Sequence, residues 1–98
     1  MTNKTVLTVD LGAESGRVMA VAFDGGRLSA KELRRFSNPP TSVNDTVHWD
    51  FLHLWREIQA GIETGRSLDP ASIGVDTWGV DFALLDRQGQ LIANPVSY

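Results

Sequence analysis

The 98 residues suffice for one domain or a piece of one, and 42% hydrophobic residues can fill a core. A formal net charge of −3 argues against a basic nucleic-acid face and favours small polar ligands. With no cysteine, disulfides, thiolate nucleophiles and cysteine-based metal sites are excluded.

The opening "MTNKTVLTVD" has no long apolar stretch, so neither a signal peptide nor a membrane span is expected, and a cytoplasmic setting is the default. "TVLTVDL" (5–11) is β-branched and almost continuously apolar, as in a strand covered on both faces, and "RVMAVAFD" (17–24) reads the same way. Gly25-Gly26 predicts a two-residue hairpin loop, both positions tolerating positive φ. The next run, "RLSAKELRRF", holds no single period, and its Lys31, Arg34 and Arg35 suit a protected edge strand. A meander of three strands results.

"SNPPTSVNDTV" (37–47) reads as a polar loop. "DFLHLWREIQAGIETG" then predicts a helix: Asp50 as N-cap, Phe51, Leu54, Trp55, Ile58 and Ile62 along one face, and Gly65 as a left-handed end. Trp49, in "HWD", reads as a staple residue on the entering chain. "SIGVDTWGVDFALLDRQGQLI" predicts a strand, a brief interruption and a second strand, with "DRQG" (86–89) as a hairpin with a glycine bulge. The order is β-β-β-α-β-β in a mixed sheet, and the chain reads as cut off rather than finished. His48 and His53 lie five residues apart, not the four-residue spacing of two ligands on one helix face.

Two stretches carry chemistry. "VDLGAESGR" (9–17) sets two glycines, a serine and an arginine behind a strand, but matches neither helix-led nucleotide motif. A turn between antiparallel strands can aim backbone N–H groups at an anion without a helix. Gly12 and Gly16 would let the backbone approach phosphate oxygens, Ser15 and Arg17 would add donors, and Asp10 would hold a hydrated magnesium ion. Glu14 must then face solvent. Composition alone favours an ordinary glycine-rich hairpin. "GVDTWGVDF" (74–82) groups Asp76 and Asp81 with Trp78 and the permissive Gly79, a combination suited to a polyol: carboxylates accept from hydroxyls beside an aromatic face. A core Trp78 with aspartates serving the turn fits the same residues.

Taken jointly, the strand order and the acidic-glycine turn between the first two strands resemble the actin-like ATPase (ribonuclease H-like) and sugar-kinase fold. "VDLGAESGRVM", "VHWDFLHL" and "SIGVDTWGVDFALLD", in this order, are similar to the beginning of the rhamnulokinase family among the FGGY carbohydrate kinases. Related glycerol kinases carry an Arg-Glu pair where Gly79-Val80 stand here. The resemblance implies an α/β N-terminal subdomain, with residues 1–98 forming the sugar- and phosphate-binding half of the first kinase domain. It implies ATP and Mg2+ as cofactors and a ketose as substrate, with rhamnulose foremost and fuculose or xylulose as alternatives. Ala13, Glu14, Ser15, Gly16 and Arg17 match the ATP-phosphate turn, with Gly12 directly before it among the phosphate-binding residues. Asp10 matches the strand-end aspartate near the metal, and Gly79 a ketose contact with Trp78 and Asp81 as neighbours. No aspartate here matches the family's catalytic base, expected beyond Tyr98, so the piece alone should be inactive. A non-catalytic nucleotide- or sugar-binding module of this fold is the alternative from another class. Exposed strand edges would favour self-association.

Overall fold

A computed structural model describes residues 3–98. Strands β1 (Lys4–Leu11), β2 (Ser15–Phe23) and β3 (Leu28–Ser37) form the expected meander. β6 (Ile73–Asp76) joins β1 in parallel, completing a mixed sheet of order β3-β2-β1-β6. Between them lie β4 (Thr41–Val43), β5 (Thr46–His48), helix α1 (Phe51–Gly65) and a 3-10 turn, Arg66–Leu68. Among the described residues no helix is long and apolar enough to cross a membrane.

The core lies between one sheet face and α1. Val9, Val18 and Phe36 from the strands meet Leu54 and Ile58 from the helix, and the buried Leu7 lies against Gly65. Two glycines let the helix sit close: a Cβ on Gly61 would come within 2.5 Å of Val18, and one on Gly65 within 2.7 Å of Leu33. Asp50 caps the helix as expected, accepting from the His53 N–H at 3.1 Å.

Several expectations are corrected. Gly65 does not end the helix in the left-handed region: it has φ −86°, and Asp69, at φ 52°, makes the reversal after the 3-10 turn. Packing against Leu7 and Leu33, rather than backbone freedom, requires the missing side chain. Phe51 and Trp55 are exposed, so the buried stripe runs through Leu54, Ile58, Gly61 and Gly65. Gly25 takes a positive φ but Gly26 does not, because the Asp24 carboxylate accepts from the Gly26 and Arg27 N–H groups and shapes the turn. The polar loop contains the β4–β5 hairpin, reversed at Asn44 with φ 54°. Such a two-residue Asn-Asp turn between short β-prone runs is a legible hairpin signal.

The second strand after Asp76 is not formed. Residues 80–85 find no adjacent strand among the described residues, so only an isolated bridge, Leu85 to Leu91, remains. The turn below it is as expected, with Gly89 at φ 82° and its N–H donating to the Asp86 carbonyl. The final residues run beside β5, the Ser97 N–H donating to Val47. Lys31, Arg34 and Arg35 do occupy an edge strand, with Arg34 paired to Glu57 on α1 and Arg35 to Glu32.

Candidate functional site

The turn Gly12–Ser15 caps the β1–β2 ladder, whose last rungs pair Asp10 with Arg17 and Leu11 with Gly16. The Gly12 N–H donates to the Ser15 carbonyl at 2.9 Å. Ala13 and Glu14 are exposed at the tip, Glu14 facing solvent as expected, and Ser15 is half-buried. Gly16 turns inward: a Cβ there would lie 2.5 Å from the Phe36 ring. Core packing thus accounts for this glycine without any ligand.

Asn38, the residue after β3, straps the turn. Its N–H donates to the Glu14 carbonyl at 2.9 Å and its Nδ2 to the Gly12 carbonyl at 3.1 Å. It is 1% exposed, the sole buried polar residue of the core among the described residues.

Beneath the turn, a charged row crosses the sheet on the face away from α1. Arg35, Arg17, Asp10 and Asp76 are successive register partners across β3, β2, β1 and β6. The Arg17 guanidinium forms an ion pair with the Asp10 carboxylate. The two acids sit side by side at the carboxyl ends of parallel strands, where open α/β sheets take ligands. Magnesium binds through one or two carboxylates and keeps its waters, so this donor pair fits such an ion.

The third part is aromatic. Asp81 accepts from the Trp49 indole N–H at 2.7 Å, the Trp78 indole N–H at 2.9 Å and the Tyr98 backbone N–H at 2.9 Å. Hydrogen bonding, foremost from Trp78, holds its carboxyl below the ordinary 3.8. The two indoles lie 5.0 Å apart, tilted by 57°. The two indoles line a cavity of about 210 Å³ together with Leu11, Leu54 and Thr77, and a separate cavity of about 330 Å³, lined by neither indole, runs along residues 80–84 and 92–98. The smaller one touches Leu11, one residue short of the turn, so the two sequence motifs meet at the ends of β1 and β6. Trp78 is half-buried rather than exposed. Gly79 lines neither cavity and has open space on its side-chain side. Its neighbour Val80, rather than the permissive Gly79, takes a positive φ of 71°, a conformation a β-branched side chain rarely adopts.

Sequence reasoning missed Asn38, Trp49 and the pairing of Asp10 with Asp76. Trp49 had a local explanation as a helix staple, and its partner lies 32 residues away. The Asp pair follows only once the strand register is known. For Asn38 the one available signal was an asparagine leading into two prolines immediately after a strand.

No family model matches the sequence. Over its whole length the chain is 43% identical to a rhamnulokinase of Pectobacterium atrosepticum across 102 aligned residues, and 43% identical to one of Klebsiella pneumoniae across 104. It spans 21% of the length of each. Among solved structures, a gluconate kinase from Lactobacillus acidophilus superposes with a TM-score of 0.74 at 14% identity, over 98% of this chain and 20% of that one. A xylulose kinase from Rhodospirillum rubrum gives 0.66 at 18% identity, over 95% and 20%. These superpositions establish the fold, the mixed α/β actin-like arrangement expected from the sequence, and nothing about substrate. The likeness to rhamnulokinases is likewise the one read from the sequence motifs.

Proposed function

We propose that this chain forms the first part of an ATP-dependent sugar kinase of the rhamnulokinase type, passing the γ-phosphoryl group of Mg–ATP to L-rhamnulose to give L-rhamnulose 1-phosphate. The observation that carries the reading is 43% identity along all 98 residues to rhamnulokinases. In this reading the turn from Gly12 to Arg17 takes the nucleotide phosphates through backbone N–H groups and the Arg17 side chain. Asp10, with Asp76 beside it, would hold magnesium, which supplies neutralisation of phosphate charge. Catalysis in this class is largely positioning and charge stabilisation, which suits a strapped turn above a charged row.

The ketose belongs beside Gly79, where the open flank lets a hydroxyl-rich chain approach the backbone. Trp78 and Trp49 supply an aromatic wall. Asp81 already accepts three hydrogen bonds, so its part is to fix both indoles, with any sugar contact made at the expense of one of them. The general base is assigned to no residue of this chain.

The test is a chimera in which these residues replace the matching segment of the Pectobacterium rhamnulokinase, assayed against a panel of ketoses. The expected result is phosphorylation of rhamnulose ahead of fuculose and xylulose. A faster rate with another ketose rejects rhamnulose, and a folded chimera inactive on every sugar favours a binding module instead. In the active chimera, Asp10→Asn should lower kcat by far more than it raises the KM for sugar.

A further inference from the structure

We propose that Asn38 is a positioning residue for anion binding: by holding the Gly12 and Glu14 carbonyls inward, it aims the Ala13 and Ser15 N–H groups outward at phosphate. The inference rests on the phosphate reading of the turn and extends it to a residue outside the motif. In a trans peptide the C=O and the following N–H point in opposite directions. Donation from Asn38 Nδ2 to the Gly12 carbonyl therefore fixes the Ala13 N–H away from Asn38. Donation from the Asn38 N–H to the Glu14 carbonyl does the same for Ser15. Two alternate N–H groups then face one side of the turn, the arrangement that makes an anion-binding concavity.

The side chain is an unusual choice for its surroundings. It is 1% exposed next to the Phe36 layer of the core, and its Oδ1 has no partner among the described residues. A buried amide satisfied on one side only is costly, and what it retains is the bond to Gly12. That bond also takes the carbonyl a tight hairpin would pair with the Ser15 N–H. In such a hairpin Ser15 N–H points into the turn; here Asn38 substitutes for it and the Ser15 N–H is left for a ligand. The side chain of Glu14, the one acid at the tip, is exposed, and only its backbone carbonyl enters this geometry.

The experiment is titration of the 98-residue chain with inorganic tripolyphosphate, read by amide chemical shifts. The unaltered chain is expected to shift its Ala13 and Ser15 amides with millimolar affinity. Asn38→Ala keeps the backbone bond to Glu14 and should weaken binding on the order of tenfold, the loss of one well-aimed donor at Ala13, while helix amides keep their positions. Asn38→Ser, too short to reach Gly12, should match it and decides the matter if the alanine variant does not fold. Ile58→Val, which loosens the same core without touching the turn, should bind like the unaltered chain. Folded Asn38 variants that bind undiminished overturn the positioning role alone. A loss of the same size in Ile58→Val also overturns it, because stability then explains the effect. Absence of turn shifts in the unaltered chain overturns the phosphate reading, and the role of Asn38 with it.

Discussion

Val9 and Val75 are register partners on adjacent parallel strands, yet Val9 is 1% exposed and Val75 66%. Two rungs away on the same face, Leu7 is fully buried and its partner Ile73 is 48% exposed. The strand pattern is the same on both sides of the pair. What differs is cover: α1 lies over β3, β2 and the near side of β1, drawn in by Gly61 and Gly65, and leaves β6 exposed. The exposed apolar residues continue through Phe82, Leu84, Leu85 and Ile92. The total accessible surface, 7092 Å², exceeds the roughly 5,500 Å² of a compact monomer of this mass. Half of the molecule is thus packed, and the other half has core composition without a core.

The largest effect should come from testing that contrast directly. Leu7→Ala is expected to cost about 2–5 kcal/mol in urea unfolding, whereas Ile73→Ala costs less than about 1 kcal/mol. Equal losses would mean that β6 is covered in solution. Gly61→Val, driven against Val18, should cost about 1–3 kcal/mol by overpacking. The two sheet edges provide the next test. β3 carries Lys31, Arg34 and Arg35, while β6 carries none of these. Sedimentation velocity should show concentration-dependent self-association that Val75→Lys diminishes and Arg35→Glu on the opposite edge does not.

Asp81 ties the exposed half to the packed one, and its depressed pKa gives that tie a pH dependence. The contribution is fully present above the unfolded value of 3.8 and is lost as pH falls through the lower folded value. The Trp49 and Trp78 indole resonances should therefore move together in acid, below pH 3.8, while the Leu54 methyls do not. Indoles that titrate separately would dissolve the shared clasp. The smallest effect is expected at Glu57, whose carboxyl the Arg34 guanidinium holds below its usual range. Because Arg34 is exposed, Glu57→Gln should cost less than about 1 kcal/mol.

These contrasts also mark how far the sequence could be read. The meander, the protected edge and the Asp50 cap are local patterns of period, charge and capping, and they hold. So does the glycine-rich stretch 12–16 as a tight link between β1 and β2. The helix face was read too broadly, because Phe51 and Trp55 keep the period of a buried stripe that the sheet does not extend far enough to cover. The final strand had the right residues, but a strand exists only with a neighbour. At the candidate site, Trp49 joins Asp81 across 32 residues and Asn38 joins Gly12 across 26. No local pattern encodes such contacts.

The row Arg35–Arg17–Asp10–Asp76 has a consequence for how ligands would arrive. In the free protein the Arg17 guanidinium pairs with the Asp10 carboxylate through a terminal nitrogen, while the buried Arg17 Nε has no partner among the described residues. Each is thereby a placeholder: the guanidinium occupies the position of a cation for Asp10, and the carboxylate that of an anion for Arg17. Polyphosphate alone would free Arg17 at the cost of stranding Asp10, and magnesium alone would do the reverse. Both together exchange one ion pair for two and strand neither. Metal and polyphosphate should therefore bind with positive thermodynamic coupling, each tightening the other by the same factor, and Asp10→Asn should abolish that reciprocity even where some affinity for polyphosphate survives.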